Sequence, residues 1–167
     1  MRPTWSAVPW PRIPPTVIRD GPQGIGAVQL YIDNDPQANY FTFRHARVDE
    51  VQRIAAFDLI VNNADRKAGH CLLGRDGRVW AIDHGITFHA EPKLRTVIWE
   101  FTGQPIPPAL LADMRALRGG LRPPAVLHVA LQELLLPAEM AALRQRLDRL
   151  LADGVFPEPE TVPWPPV

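Results

Sequence analysis

Between Phe57 and His89 the chain reads FDLIVNNADRKAGHCLLGRDGRVWAIDHGITFH. Asp58, Asp65 and Asp83, the histidines His70, His84 and His89, and the pair Asn62–Asn63 crowd carboxylate, imidazole and carboxamide groups into that one stretch. Such groups hold divalent metals and move protons. A loop aspartate, a hairpin, and a second aspartate shortly before a glycine suit one reaction in particular. In phosphoryl transfer, one aspartate orients an attacking hydroxyl and takes its proton, while another carboxylate holds the cation that bridges the phosphates.

Positioning these groups requires a helix, a loop and a hairpin. From Val48 to about Asn62 the apolar residues Val51, Ile54, Ala55, Phe57 and Val61 recur at helical spacing, and Asp49 and Glu50 suit the first turn. Asp58 falls on or beside the apolar stripe, where an unpaired carboxylate is costly, so it should receive hydrogen bonds from the loop that follows. NNADRKAG breaks the periodicity and places Asp65 on that loop. HCLLGRDGRVWAID then alternates strand formers around Asp76–Gly77, a dipeptide suited to a two-residue hairpin turn. With that turn Leu73 faces Trp80, Cys71 faces Ile82 and His70 lies opposite Asp83. Cβ atoms about 4.5–5.5 Å apart would let His70 and Asp83 share one ion. A one-residue slip would undo that pairing.

The runs TVI, AVQLYI and YFTF between Thr16 and Arg44, separated by RDGPQGIG and DNDPQAN, predict two or three short antiparallel strands. Downstream, helices are expected over about 108–117, ending at Gly119–Gly120, over 125–135, and over 137–152 with Gly154 just past its end. Their leucine-rich faces read as core. The fold class is therefore α+β and mainly helical, in one domain of 167 residues.

Lys plus Arg balances Asp plus Glu at 18 each, so no overall field recruits nucleic acid or an anionic membrane. No window reaches the roughly 18–20 apolar residues of a membrane span. Cys71 is the single cysteine, which forbids an internal disulfide and fits a cytoplasmic protein. It should face the interior as a small hydrophobe. His45 and His128 read as surface or satisfied core residues, and His89 as structural. His84 is balanced between a local hydrogen bond and the site. Trp80 and Trp99 read as core aromatics, and Trp5, Trp10 and Trp164 as packing down the proline-rich ends.

NNADRKAGH and IDHG resemble the catalytic and metal-binding loops of the phosphatidylinositol 3-/4-kinase-like superfamily, which includes HipA-type and secretory-pathway atypical kinases. From about Pro14 to the proline-rich tail the chain is also similar to a small actinobacterial family of kinase-like proteins. The resemblance implies a protein-kinase-like C-lobe over 47–156 with a β-hairpin at the active site. Residues 1–46 would be a remnant of N-lobe strands and hinge behind a proline-rich start, and 157–167 a proline-rich tail. It implies an ATP-dependent, divalent-metal-dependent phosphotransferase that uses Mg or Mn. Its partners would be a nucleotide and a phosphate acceptor, whether lipid, protein or small molecule. Asp65 becomes the catalytic base, Arg66 a phosphate or loop-ordering partner, and Asn63 and Lys67 cofactor-binding residues. Asp83 and His70 become the metal ligands.

Two departures stand out. His70 occupies the slot where these kinases usually place a metal-binding asparagine, and imidazole suits manganese better than hard magnesium. The chain has only two lysines, Lys67 and Lys93, so no strand lysine precedes the catalytic loop, and GPQGIG reads as a turn rather than a phosphate-covering loop. The front of the nucleotide site is expected to be missing. The chain is then either a fragment from a misassigned start or disrupted gene, favoured by MRPTWSAVPWP, or a shortened form kept for another purpose; an intact native mass near 18.7 kDa would exclude the misassigned start. The alternatives to phosphoryl transfer are a pseudokinase-like module that binds without turnover, and a transition-metal site on His70, Asp83 and His84, with or without His89, that serves hydrolysis or structure alone.

Overall fold

The computed structural model describes residues 10–158, in which five helices and two separate antiparallel strand pairs form an α+β fold. The calls on Trp5 and Trp164 lie outside the described residues. Strands β1 (Thr16–Gly21) and β2 (Gly24–Gln29) pair with Val17 opposite Val28 and Ile18 opposite Ala27. Gly21 faces Gly24 across Pro22–Gln23, where proline presets the turn and Gly24 takes a φ of +101°. This hairpin stands away from the core, with every residue of both strands exposed.

YFTF is not a third strand but the short helix α1 (Tyr40–Phe43). Asn39 overrides its strand propensity: its side chain accepts the Phe41 N–H at 3.0 Å, while Thr42 Oγ1 accepts the Asn39 N–H at 3.0 Å. Tyr40 and Phe43 are thereby driven into the core.

Helix α2 (Val48–Val61) matches the periodicity and buries Val51, Ile54, Ala55 and Ile60. It ends at Asn62, which adopts the left-handed conformation at φ 57°. A short 3-10 turn (Ala68–His70) leads into β3 (Cys71–Leu73), which returns as β4 (Val79–Ala81). The register differs by one residue from the expected one: Cys71 pairs with Ala81, Leu72 with Trp80 and Leu73 with Val79. Asp76–Gly77 is only part of a three-residue loop, because Gly74 N–H donates to Arg78 O at 2.9 Å and Gly77 takes the left-handed φ of +75°. The hairpin is anchored to α2 by Glu50, whose Oε1 accepts the Val79 N–H at 3.0 Å.

Helix α3 (Pro108–Gly120) runs three residues past its expected end, because Gly119 and Gly120 keep helical geometry and buried Leu121 closes the turn onto Leu117. Arg122, which precedes Pro123, is biased away from helix. Helix α5 (Pro137–Asp153) is the core-builder foreseen, burying Met140, Leu143, Leu147 and Leu150 and ending at left-handed Gly154. Each of those side chains contributes about 1.5–3 kcal/mol of gross burial. Helix α4 (Val126–Gln132) is shorter than expected and is no core-builder: it buries His128, whose Nδ1 lies 2.8 Å from Arg144, but leaves Val126, Leu127 and Val129 exposed. Trp10 packs against the core, and Trp80 and Trp99 are half-buried. Among the described residues no helix is long and apolar enough to cross a membrane.

Candidate active site

The site is assembled on a buried ion pair. Asp58, in the last turn of α2, has no solvent exposure, and neither has Arg66. Arg66 Nε donates to Asp58 Oδ2 at 2.8 Å and its NH2 to Oδ1 at 2.9 Å, while Asn63 Nδ2 donates to Oδ1 at 2.9 Å. The loop thus supplies the hydrogen bonds that the buried carboxylate demands. Burial alone would depress the Arg66 pKa, but the charge and hydrogen bonds of Asp58 outweigh it and hold it raised.

Arg66 also fixes both flanks of the hairpin. Its NH1 donates to Ile82 O at 2.7 Å and to His70 O at 3.2 Å, and its NH2 lies 2.8 Å from His84 Nε2. His84 is accordingly an acceptor there. Burial first, and then the neighbouring guanidinium, lower its pKa to about 4. The even balance at His84 resolves as a local hydrogen bond.

With Arg66 turned inward, its sequence neighbours turn outward. Asp65 is half-buried, its N–H held by Asn63 Oδ1 at 3.1 Å, and its carboxylate Oδ2 lies 3.2 Å from Lys67 Nζ. Asn63 itself is enclosed, spending its carboxamide on Asp58 and Asp65. Asp65 borders a cavity of about 510 Å³ shared with Lys93 and Arg95.

His70 and Asp83 meet despite the register. The residue opposite His70 is Ile82, whose N–H donates to His70 O at 3.0 Å. Asp83 then leaves the strand with a left-handed φ of 56°, a conformation that aspartate tolerates better than most side chains, and this brings Asp83 Oδ2 to 3.4 Å from His70 Nε2. The other ring nitrogen, His70 Nδ1, is 2.9 Å from the Asp65 carbonyl oxygen, which can only accept. That contact assigns the proton to Nδ1; the Lys67 N–H at 3.5 Å is the weaker contender. In the neutral Nδ1–H form the Nε2 lone pair faces a carboxylate oxygen of Asp83, and in the imidazolium form Nε2–H donates to it.

In the neutral form the two facing lone pairs can share a cation. Ligand atoms about 2.1 Å from one ion, at 90–110° to each other, stand about 3.0–3.4 Å apart, which fits the observed gap. A ring nitrogen donating to a backbone carbonyl is also how metal-binding histidines are oriented. The residues present therefore fit a divalent ion held by two protein ligands. Among the described residues no three His, Cys, Asp or Glu side chains gather around one point, and the four-ligand set with His84 and His89 does not form. His84 is engaged by Arg66, and His89 is exposed with its Nδ1 accepting the Glu91 N–H at 3.1 Å.

Asp83 opens onto a second cavity, of about 440 Å³, roofed by Thr16, Ala27 and Gln29 of the β1–β2 hairpin and floored by Phe57, Gly85 and Phe88. Gly85, Thr87 and Phe88 line this cavity, while Ile86 lines the one at Asp65. One short loop therefore separates the two aspartates' openings. Cys71 lies buried in the core, and burial pushes its thiol up to about 12, so it is chemically quiet.

Sequence reasoning missed three contributors. Asn62 grips the backbone of the following loop, with Nδ2 donating to His89 O at 2.9 Å and Glu91 O at 2.7 Å and Oδ1 accepting the Lys93 N–H at 2.9 Å. An asparagine at the end of a helix is the one signal that could have pointed to it. Lys93 and Arg95 become neighbours of Asp65 only through the ladder formed when Arg66 N–H donates to Arg95 O and Arg95 N–H donates to Asn63 O, each at 2.9 Å.

The chain is 36% identical over 194 aligned residues to Protein Rv2133c of Mycobacterium tuberculosis, covering 93% of this chain and 69% of that protein. It is also 36% identical over 83 residues to phosphatidylinositol 4-kinase gamma 4 of Oryza sativa subsp. japonica, covering 44% of this chain. A similar match, 36% over 69 residues and 38% of this chain, links it to phosphatidylinositol 4-kinase gamma 3 of Arabidopsis thaliana. The chain spans only 15% and 12% of those two plant proteins. The family model for phosphatidylinositol 3- and 4-kinases matches residues 20–134, well over half the sequence and including Asp58, Asp65, Arg66, His70 and Asp83. The chain belongs to the phosphatidylinositol 3- and 4-kinase family.

Proposed function

We propose that the chain is an ATP-dependent, divalent-metal-dependent phosphotransferase, with residues 47–156 as its kinase-like C-lobe and, within 1–46, a remnant of N-lobe strands and hinge behind a proline-rich start. The observation that carries this reading is the approach of His70 Nε2 to Asp83 Oδ2 at 3.4 Å, with the imidazole oriented from behind by the Asp65 carbonyl. A divalent ion held by His70 and Asp83 would neutralise charge on the nucleotide phosphates. Asp65 is the base: it orients the acceptor hydroxyl and takes its proton on a carboxylate oxygen as the phosphoryl group is transferred. Arg66 and Asn63 are positioning residues, since their polar atoms are spent on Asp58, on the loop backbone and on His84. Lys67, beside Asp65, is the local cation for phosphate oxygens. The base and ribose fit the cavity beneath β1–β2, and the acceptor fits the cavity that carries Asp65, Lys93 and Arg95. The names of the plant relatives make phosphatidylinositol the first acceptor to try. A cytoplasmic setting, where ATP is supplied, completes the reading.

One observation favours a second reading, a nucleotide-holding module without turnover: residues 1–64 contain no lysine, so none of them supplies the lysine of a kinase phosphate clamp. The experiment is calorimetric titration with ATP in Mg²⁺ and Mn²⁺, paired with a phosphoryl-transfer assay, on wild type, Asp65→Asn and Asp83→Asn. The phosphotransferase reading expects Asp83→Asn to lose nucleotide binding, and Asp65→Asn to keep binding and lose transfer. Transfer undiminished in Asp65→Asn would overturn the role of the base. Metal-dependent binding without transfer in wild type would establish the second reading.

A further inference from the structure

A third cavity, about 290 Å³, lies on the far side of residues 90–94, between that segment and α5. Its walls are largely apolar: Leu59, Pro92, Leu94, Ala142 and Leu150. Arg146 and Arg149 of α5 also line it, as do Glu158 and Asp153, the latter one turn from Arg149. Guanidiniums and carboxylates balance in that lining, which gives an ion no net attraction. A neutral occupant with an apolar body and one polar donor suits it better.

Val155, Pro157 and Glu158 belong to the same lining, so the chain passes residue 158 at the cavity itself. Phe156 pins that stretch, with its side chain buried and its N–H donating to Gln104 O at 3.0 Å. The residues that follow, 159–167, read PETVPWPPV, and Trp164 is their one aromatic. It stands six residues beyond Glu158. In extended polyproline form, at about 3.1 Å per residue, that tether spans up to roughly 19 Å. The distance from Arg146 to Asp153 along α5 is only about 10 Å, so the whole cavity is within reach.

An indole has a broad apolar body, an N–H that needs an acceptor when buried, and a face that attracts a guanidinium. The cavity offers apolar walls, the carboxylates of Asp153 and Glu158, and Arg149. Its volume, at the lower end of small-molecule sites, is on the scale of one large side chain. Pro163 and Pro165 flank the tryptophan and fix φ on both sides, which reduces the freedom lost on docking. A tether this short also gives an effective concentration on the order of mM, so a modest fit is enough for occupancy. We infer that Trp164 seats in this cavity of its own chain, its ring against Leu94, Ala142 and Leu150 and its N–H toward the carboxylates of Asp153 and Glu158. Pro92 and Leu94 line both this cavity and the one at Asp65, so the seated indole braces the wall of the proposed acceptor site. That consequence rests on the phosphotransferase reading; the docking itself does not.

The test is nuclear magnetic resonance on the full-length ¹³C,¹⁵N-labelled chain, with Trp164→Phe identifying the Trp164 indole signal among the five tryptophans. Nuclear Overhauser contacts from the Trp164 ring to the methyls of Leu94, Ala142 and Leu150 are expected in the wild type. Trp164→Ala should shift the amides of Ala90, Leu94 and Ala142 while β1 and β2 stay still. Ala142→Phe should fill the space, abolish the contacts to Leu94 and Leu150, and leave the indole N–H exchanging freely with water. The inference fails if the wild-type ring touches none of those methyls, a result that needs no variant to fold. It fails equally if the contacts survive Ala142→Phe, or if they fade on dilution, which would place the indole on a second copy. None of these readouts depends on nucleotide or phosphate transfer, so they are separable from failure of the phosphotransferase reading.

Discussion

Replacing Arg66 by methionine keeps most of the side chain's bulk and removes its charge. The change strands Asp58 as a buried carboxylate with Asn63 as its one remaining side-chain donor, and frees the Ile82 carbonyl and His84 Nε2, while the His70 carbonyl keeps the Ile82 N–H. Removing one partner of a buried pair costs about 3–5 kcal/mol. For a chain of this size each kcal/mol is worth about 2–4 °C, so Tm should fall by roughly 6–20 °C. Much of that loss comes from the orphaned charge, so Asp58→Leu with Arg66→Met should recover a large part of it. Recovery should be incomplete, because the Ile82 carbonyl and His84 Nε2 have still lost the Arg66 donor. Urea titration of the four members of the cycle measures the coupling directly. A loss below about 1 kcal/mol in Arg66→Met, the range of a solvent-exposed pair, would refute the claim that this ion pair holds the site together.

Three further outcomes follow. His84 has a folded-state pKa of about 4 against an ordinary 6.5, so the unfolded chain takes up more protons between those values and stability is lost as pH falls through that window. The full shift would be worth about 3 kcal/mol, and solvent screening at this half-buried ring reduces it to roughly 1–2 kcal/mol; His84→Gln should flatten the slope in urea melts run from pH 7 to pH 4. If imidazole sets metal preference, His70→Asn should move the ratio of Mn²⁺ to Mg²⁺ affinity toward Mg²⁺, read by Mn²⁺ electron paramagnetic resonance without any turnover; an unchanged ratio removes His70 from the ligand set. Gly154→Ala meets no atom within 4 Å yet forces a side chain into φ +64°, so it should cost about 1 kcal/mol and lower Tm by about 2–4 °C; no loss would mean the end of α5 relaxes freely.

Much of this architecture was legible because local rules agreed with the tertiary outcome. Helix α2 announced itself by periodicity and acidic first-turn residues, and α5 by proline at its start and glycine past its end. The need of Asp58 for loop donors followed from its place on an apolar stripe. Failures came where a short signal admitted two geometries. Asp-Gly suits both a two-residue turn and the end of a three-residue loop, and only the Gly74–Arg78 pairing decides between them. The slipped register should have separated His70 from Asp83, and it is the left-handed backbone at Asp83 that restores the contact. That backbone state belongs to a chain leaving the strand beside Arg66, and no propensity at position 83 reports it. In the same way YFTF looks like a strand until Asn39 and Thr42 are recognised as a reciprocal cap. The leucines around α4 looked like core, but burial depends on what packs against a helix, and little packs against that face.

The grip of Asn62 on the loop after Phe88 has an evolutionary consequence. Its carboxamide bonds only main-chain atoms, the carbonyls of residues 89 and 91 and the N–H of residue 93, and Arg146 likewise takes the carbonyl of residue 89. The side chains at 91 and 93 take no part in that hold, so they can be exchanged while the loop keeps its path, whereas His89 Nδ1 accepts the Glu91 N–H. Positions 91 and 93 are therefore an interchangeable pair beside Asp65, open to drift and to library design. New recognition chemistry could be written there without renegotiating the fold beneath it.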